Sequence, residues 1–245
     1  MQMNKNKNTR GFSEPKYKAT KINKEKLNKS KIGLFNAGGS CYMSSIIQIL
    51  IHLEKFLDYF EKSKESSSLI QIFKKLLLKI EKSSSYPIEI RELANIYNKI
   101  NSKFKGTIGN NPMTFFIEFI KDLETEGQNQ ILSLFTGVKN IQIKNRDKIE
   151  FNYDENFIFY MVTLDKEKTY IDLVEENKKE VEDDKDCLII EKIKKMPEIL
   201  VINLEIDNIN IDFEEHENII VEDSKETYSY TLKGINKYTN FHSVA

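Results

Sequence analysis

From Cys41 the apolar positions fall at helical spacing: Tyr42, Ile46, Ile49, Leu50, Leu53, Phe56, Leu57 and Phe60 share one side of a helix running to residue 60. A break rich in Lys, Glu and Ser over 61–68 leads to a second helix over 69–80, where Ile70, Phe73, Leu76 and Leu77 form an apolar stripe. A Ser-Ser-Ser-Tyr-Pro loop precedes a helical stretch over 89–99, and a loop around 106–112 precedes another over 113–126. From Phe135 onward the period changes. Runs rich in Ile, Val, Phe and Tyr over 140–143, 157–164, 199–206, 219–221 and 228–235 read as strands. In Leu200, Ile202, Leu204 and Ile206 the alternation puts the apolar residues on one face of a sheet. The acidic stretch 175–186 has little to bury and reads as an exposed loop or hairpin tip. Helices first and an antiparallel sheet second predict an α+β chain, with no internal repeat.

Composition narrows the class. A chain of 245 residues with 40% hydrophobic content can bury one sizeable core or two packed lobes, and is too short for several independent domains. The longest apolar runs fall far short of the roughly 20 residues a membrane span needs. The polar, Lys- and Asn-rich N-terminus has no apolar signal segment, so an intracellular setting, cytoplasm or nucleus, is expected. There, Cys41 and Cys187 are expected to be thiols. Charge is uneven: residues 1–31 carry ten Lys and Arg against Glu14 and Glu25, and the body is acidic. A basic segment without apolar periodicity reads as a solvated arm, with no nucleic-acid or membrane partner expected and the chain a monomer.

The segment Gly33-Leu34-Phe35-Asn36-Ala37-Gly38-Gly39-Ser40-Cys41-Tyr42-Met43-Ser44-Ser45-Ile46-Ile47-Gln48 carries the chemistry. A cysteine that follows a Gly-rich loop and opens a helix sits at the positive end of the helix dipole, where a thiolate is favoured. Asn36, five residues upstream, can offer its amide to the oxyanion of a tetrahedral intermediate, with the Cys41 N–H as second donor. The other reading of Cys41, for a cysteine taken alone, is a buried and inert thiol. A nucleophilic thiol needs a base, and the chain has three histidines. His52 lies eleven residues along the same predicted helix, roughly 16 Å from Cys41 at 1.5 Å per residue, and reads as a packing or surface residue. His216 sits in the charge-rich Phe213-Glu214-Glu215-His216-Glu217 and reads as solvated. His242 remains, in the C-terminal His242-Ser243-Val244-Ala245.

The segment around Cys41 resembles the cysteine box of the ubiquitin-specific proteases: Gly-Leu-x-Asn-x-Gly, two residues, Cys-Tyr-Met, one residue, Ser, two residues, Gln. It departs in carrying Gly39-Ser40 where Asn-Thr is commonest and Ser44 where Asn is usual. The run Tyr230-Thr231-Leu232-Lys233-Gly234-Ile235, followed by His242, resembles the histidine box of the same family, with Phe241 for its glycine and Ser243 for its tyrosine. Met196-Pro197-Glu198-Ile199-Leu200-Val201-Ile202-Asn203-Leu204 looks like the family's Leu-Pro strand, with Glu205 where a base is usual. Asn111-Pro112-Met113-Thr114-Phe115-Phe116 stands in place of Asp-Ala-x-Glu-Phe-Leu, with Thr114 for the acid.

The resemblance implies a papain-like cysteine peptidase fold: a helical thumb over 32–133, and an antiparallel β palm with reduced fingers over 134–245. It implies hydrolysis at the C-terminus of ubiquitin, with ubiquitin or ubiquitinated proteins as partners, Cys41 as nucleophile, His242 as base, Asn36 at the oxyanion and no cofactor. The family's zinc ribbon needs two Cys-x-x-Cys pairs, and Cys187 alone cannot supply them, so no metal is expected. The residue that orients the family's histidine lies well downstream, whereas this chain ends three residues after His242, and no residue carries over to that role. A ubiquitin-binding pseudo-protease is therefore the competing expectation.

Overall fold

The computed structural model describes residues 23–28, 32–36, 38–62, 67–83, 87–105, 109–127, 130–145, 148–164, 176–181, 184–206, 218–222, 227–239 and 242–245. Helices dominate as far as residue 134: α1 (Lys24–Asn28), α2 (Cys41–Leu50), α3 (Glu54–Lys62), α4 (Ser68–Lys82), α5 (Arg91–Ile100) and α6 (Pro112–Gly127), with 3-10 turns at Ser102–Phe104 and Ile131–Leu134. Between them β1 (Leu34–Phe35) and β2 (Ile88–Glu89) pair in parallel. Strands follow: β3 (Gly137–Asn145), β4 (Lys148–Phe157), β5 (Tyr160–Leu164), β6 (Glu176–Val181), β7 (Asp184–Lys195), β8 (Ile202–Ile206), β9 (Asn218–Glu222), β10 (Thr227–Thr231), β11 (Lys237–Thr239) and β12 (His242–Val244).

The helical stripes read from the sequence converge on one core. Phe60 and Phe73 stack with ring centroids 4.6 Å apart, and Phe73 meets Phe119 at 5.7 Å, tying α3, α4 and α6 together. Helix ends are fixed locally. Ser67 accepts from the Ile70 N–H at 3.3 Å, and Asn111 Oδ1 from the Met113 and Thr114 N–H groups at 2.8 and 3.2 Å, ahead of Pro112 at the first helical position. A second, smaller cluster of Phe157, Tyr160, Ile193 and Met196 lies among the strands, and Leu200, Ile202 and Leu204 of the alternating run pack against it.

β4, β3, β7 and β6 form an antiparallel sheet in that order. The acidic stretch expected as a loop or hairpin tip supplies β6 and the start of β7, with 182–183 outside the described residues. The other strands pair two by two: β9 with β10 and β11 with β12 antiparallel, and β5 with β8 parallel. Two predicted elements are broken. The single helix from Cys41 to residue 60 ends at Leu50, where His52 and Leu53 donate to Ile49 and Leu50 through tighter i→i+3 bonds and α3 starts afresh. The single strand over 157–164 is cut at 158–159, so that Phe157 closes β4 and Tyr160 opens β5 in another sheet.

The solvated arm expected over 1–31 is not solvated throughout. Leu27 in α1 is fully buried in the helical core, and Lys24 pairs with Asp58 and Glu61 of α3. The rest of that arm, apart from Asn23, lies outside the described residues.

Candidate active site

A two-glycine turn delivers the chain into α2. Gly38 and Gly39 both take positive φ, 75° and 77°, a region that costs little for glycine and is tolerated otherwise mainly by Asn and Asp. Gly39 in place of the commoner Asn is thus a departure that the same backbone accepts. The turn folds Asn36 back over the helix start, where its Oδ1 accepts from the Ser40 N–H at 2.9 Å and from Ser40 Oγ at 3.2 Å. A backbone N–H can only donate, so the amide oxygen must face Ser40 and the NH2 group is left on the exposed side. Engaged with Asn36, Ser40 gives α2 no side-chain cap.

Cys41 is the first residue of α2, 6% exposed and outside any disulfide. The helix behind it is held by its apolar side. Tyr42 lies edge-on to Phe115 at 5.5 Å and stacks on Phe104 at 5.9 Å, and Met43 and Ile47 are buried. The Tyr-Met of the box is packing that fixes where the thiol stands.

His242 opens β12, opposite Thr239 of β11, and β12 lies against α2. Two contacts seat this hairpin. Gly234 lies so close to α2 that a Cβ there would come within 2.9 Å of Ile49 Cγ1. Ser243, next to His242 and standing where the histidine box has tyrosine, is buried with its Oγ 2.7 Å from Ser45 Oγ. Ser45 is one helical turn, about 6 Å, along from Cys41. The fold thus brings Asn36, Cys41 and the strand of His242 to the N-terminal half of one helix. Ser45 and Asn236, which reach Ser243 Oγ from two sides, each at 2.7 Å, were given no role from the sequence. The available signal was the serine of the cysteine box, which Ser45 matches four residues after Cys41.

The other candidates lie elsewhere. His52 sits half-buried in the turn after α2, 3.4 Å from Gln48 Nε2. His216 and Phe241 lie outside the described residues. Cys187 is half-buried in β7 opposite Asn145. Thr114 is exposed on the first turn of α6. The Met196–Val201 segment joins the two cores: the Ile199 N–H donates to Leu134 O at 2.8 Å and the Tyr160 N–H to Val201 O at 2.9 Å.

The family model described as ubiquitin carboxyl-terminal hydrolase matches residues 32–240, ending two residues before His242. Among solved structures the chain is similar to the SAGA DUB module of Ubp8, Sgf11, Sus1 and Sgf73 bound to monoubiquitin, and to the same module bound to ubiquitin aldehyde. Each shows 19% identity and a TM-score of 0.57 over 74% of this chain. The match covers 49% and 48% of those chains, so this chain spans about half the length of the structures it resembles. No curated protein sequence matches it significantly. With a family model matched from the cysteine box almost to the C-terminus, on a fold that sets a cysteine-led helix among helices and follows it with an antiparallel sheet, the chain belongs to the ubiquitin carboxyl-terminal hydrolase family and shares its papain-like fold.

Proposed function

We propose that the chain is a thiol-dependent deubiquitinase, hydrolysing the isopeptide or peptide bond at the C-terminal glycine of ubiquitin, with Cys41 as nucleophile, His242 as base and acid, and Asn36 as oxyanion donor. The observation that carries the reading is the seating of β12 on α2, which puts the backbone of a histidine beside a helix that begins with a cysteine. In the reaction, the imidazole takes the thiol proton and the thiolate attacks the glycine carbonyl carbon. The C=O electron pair moves to oxygen, to which Asn36 Nδ2 donates. Collapse expels the amine, which leaves with the proton held by His242, and a thioester remains. Water, deprotonated by the same imidazole, then releases ubiquitin and restores the thiol.

A folded protein substrate also needs a surface to rest on. Phe151 and Tyr153 of β4 are 58% and 47% exposed, and lie two residues apart on one face of the four-stranded sheet. Exposed aromatic rows of this kind favour protein contact.

The test is incubation of the purified chain with ubiquitin bearing a C-terminal electrophile, beside a Cys41→Ala control. A Cys41-dependent covalent adduct is expected, together with hydrolysis of a fluorogenic ubiquitin amide. Asn36→Ala should lower kcat by about 10²–10³ with KM little changed, while Phe151→Asp should raise KM and leave kcat. Ubiquitin binding with no adduct would make the chain a pseudo-protease, and neither binding nor adduct would overturn the reading.

A further inference from the structure

β11 and β12 are three residues each and, among the described residues, hydrogen-bond to no other strand. A two-stranded hairpin of that size is marginal by itself, so the position of His242 depends on what holds β12 to α2. The Gly234 contact with Ile49 is apolar and non-directional. The directional contact is a buried polar chain. Asn236 Nδ2 is 2.7 Å from Ser243 Oγ, Ser243 Oγ is 2.7 Å from Ser45 Oγ, and Ser45 Oγ is 3.2 Å from Tyr42 O. Proton counting fits one direction well. Ser45 O–H donates to the Tyr42 carbonyl, Ser243 O–H to Ser45 Oγ, and Asn236 N–H to Ser243 Oγ, so each hydroxyl gives its one proton and accepts one. Asn236 Oδ1, 3.1 Å from the same Ser243 Oγ, is the longer of the two amide contacts. Ser45 and Ser243 are both 4% exposed, so water does not compete. The chain begins at the backbone of the residue after Cys41, passes through the residue after His242 and ends on Asn236.

We propose that Ser45, Ser243 and Asn236 are positioning residues, a hydrogen-bonded strut that sets the separation and registry of the His242 strand against the Cys41 helix. The inference rests on the proposed thiol and imidazole pair. It assigns the strut no proton transfer and no contact with substrate. Its length is set by two short hydrogen bonds between small side chains, and it resists sliding of β12 along α2, which apolar packing alone permits.

The experiment is the rate of Cys41 alkylation by iodoacetamide as a function of pH, in full-length chains carrying Cys187→Ser so that one thiol reports. His242→Ala is the reference for a thiol without its partner. Single Ala variants of Ser45 or Ser243 leave a buried group unsatisfied and can lose stability for that reason alone. The deciding variant is therefore Ser45→Ala/Ser243→Ala, which replaces both hydroxyls together and should melt close to the parent. We expect the parent to react in the neutral range, His242→Ala to react only in the alkaline range, and the double variant to lose about tenfold of the neutral rate, its profile approaching that of an isolated thiol. Ser243→Thr, which keeps a hydroxyl, should restore the neutral limb. A folded double variant whose profile overlays the parent overturns the strut while leaving the pair intact. A parent indistinguishable from His242→Ala overturns the pair, and the strut with it.

Discussion

Two neighbouring serines of α2 are both buried, Ser44 at 8% exposure and Ser45 at 4%, yet they stand in different surroundings. Ser45 is bonded to Tyr42 O and Ser243, whereas Ser44 Oγ is enclosed with no partner. A buried hydroxyl without a partner costs about 1–3 kcal/mol, and Ala is also the better helix former by a few tenths of a kcal/mol. Ser44→Ala should therefore stabilise the chain by about 1–2 kcal/mol, which for a chain of this size raises Tm by about 2–4 °C per kcal/mol. Ser45→Ala should move Tm in the other direction by a similar amount, because it takes from buried Ser243 its 2.7 Å partner. Thermal melts of the two single variants check this, and equal destabilisation by both would contradict the assignment of Ser44 as the unsatisfied one.

Among the elements, α1 shows most clearly what tertiary contact adds. Five residues are too few to hold a helix in water, and the sequence around Lys24–Asn28 offers one large apolar residue among lysines, a polar glutamate and asparagine. What makes it a helix is the pocket that receives Leu27 and the carboxylates of Asp58 and Glu61 that receive Lys24. Leu27→Ala should cost about 2–3 kcal/mol, the lower part of the core range because the element can undock as a unit. The same variant should become more sensitive to trypsin at Lys24 and Lys26, and unchanged cleavage would argue against a docked α1. The same logic explains which elements were legible. α4, α5 and α6 announce themselves through period-3.6 stripes, and α4 and α6 begin after the caps Ser67 and Asn111. The breaks after Leu50 and at 158–159 do not, because the apolar pattern runs on through both, and only the core decides where the chain turns. β4 carries a polar alternation, Glu150, Asn152, Asp154, against apolar neighbours in a run read as no strand at all, and β6 carries four charged residues in six. Cys41, Asn36 and His242 were readable as residue types in a spacing. Ser45 was readable only as the serine of the cysteine box and Asn236 not at all, since the contact that joins them to Ser243 exists only once β12 lies beside α2.

At the scale of the molecule, the helical core and the strand cluster meet along Met196–Val201, and each holds a tyrosine that resists ionisation. Tyr97 is fully buried and donates to Asp122 Oδ2 at 2.9 Å; burial first, and then the Asp122 charge, raise its phenol far above the ordinary value. Tyr230, half-buried, donates to Pro197 O at 2.6 Å and is pushed up to about 12, mainly by burial and then by Tyr228. In the unfolded chain both ionise near 10. Between that value and the folded one the unfolded state has released protons that the folded state still holds, so stability is intact below pH 10 and falls as pH rises. The slope from Tyr97 approaches about 1.4 kcal/mol per pH unit, and half-buried Tyr230 adds less. Lys24, raised by its hydrogen bonds to Asp58 and Glu61, pulls the same way, since its charged form is held in the fold and lost on unfolding at high pH. Alkaline unfolding should therefore begin above pH 10 and steepen with pH. Tyrosinate absorbance of the native chain should show part of its eleven tyrosines appearing only with loss of structure. Tyr97→Phe removes the proton but keeps the ring against Phe104, Phe115 and Phe119, and Asp122 retains the Asn101 amide at 2.9 Å. That variant should flatten the alkaline decline while leaving neutral stability within about 1 kcal/mol, whereas a decline as steep as the parent's would mean that Tyr97 ionises in the folded chain.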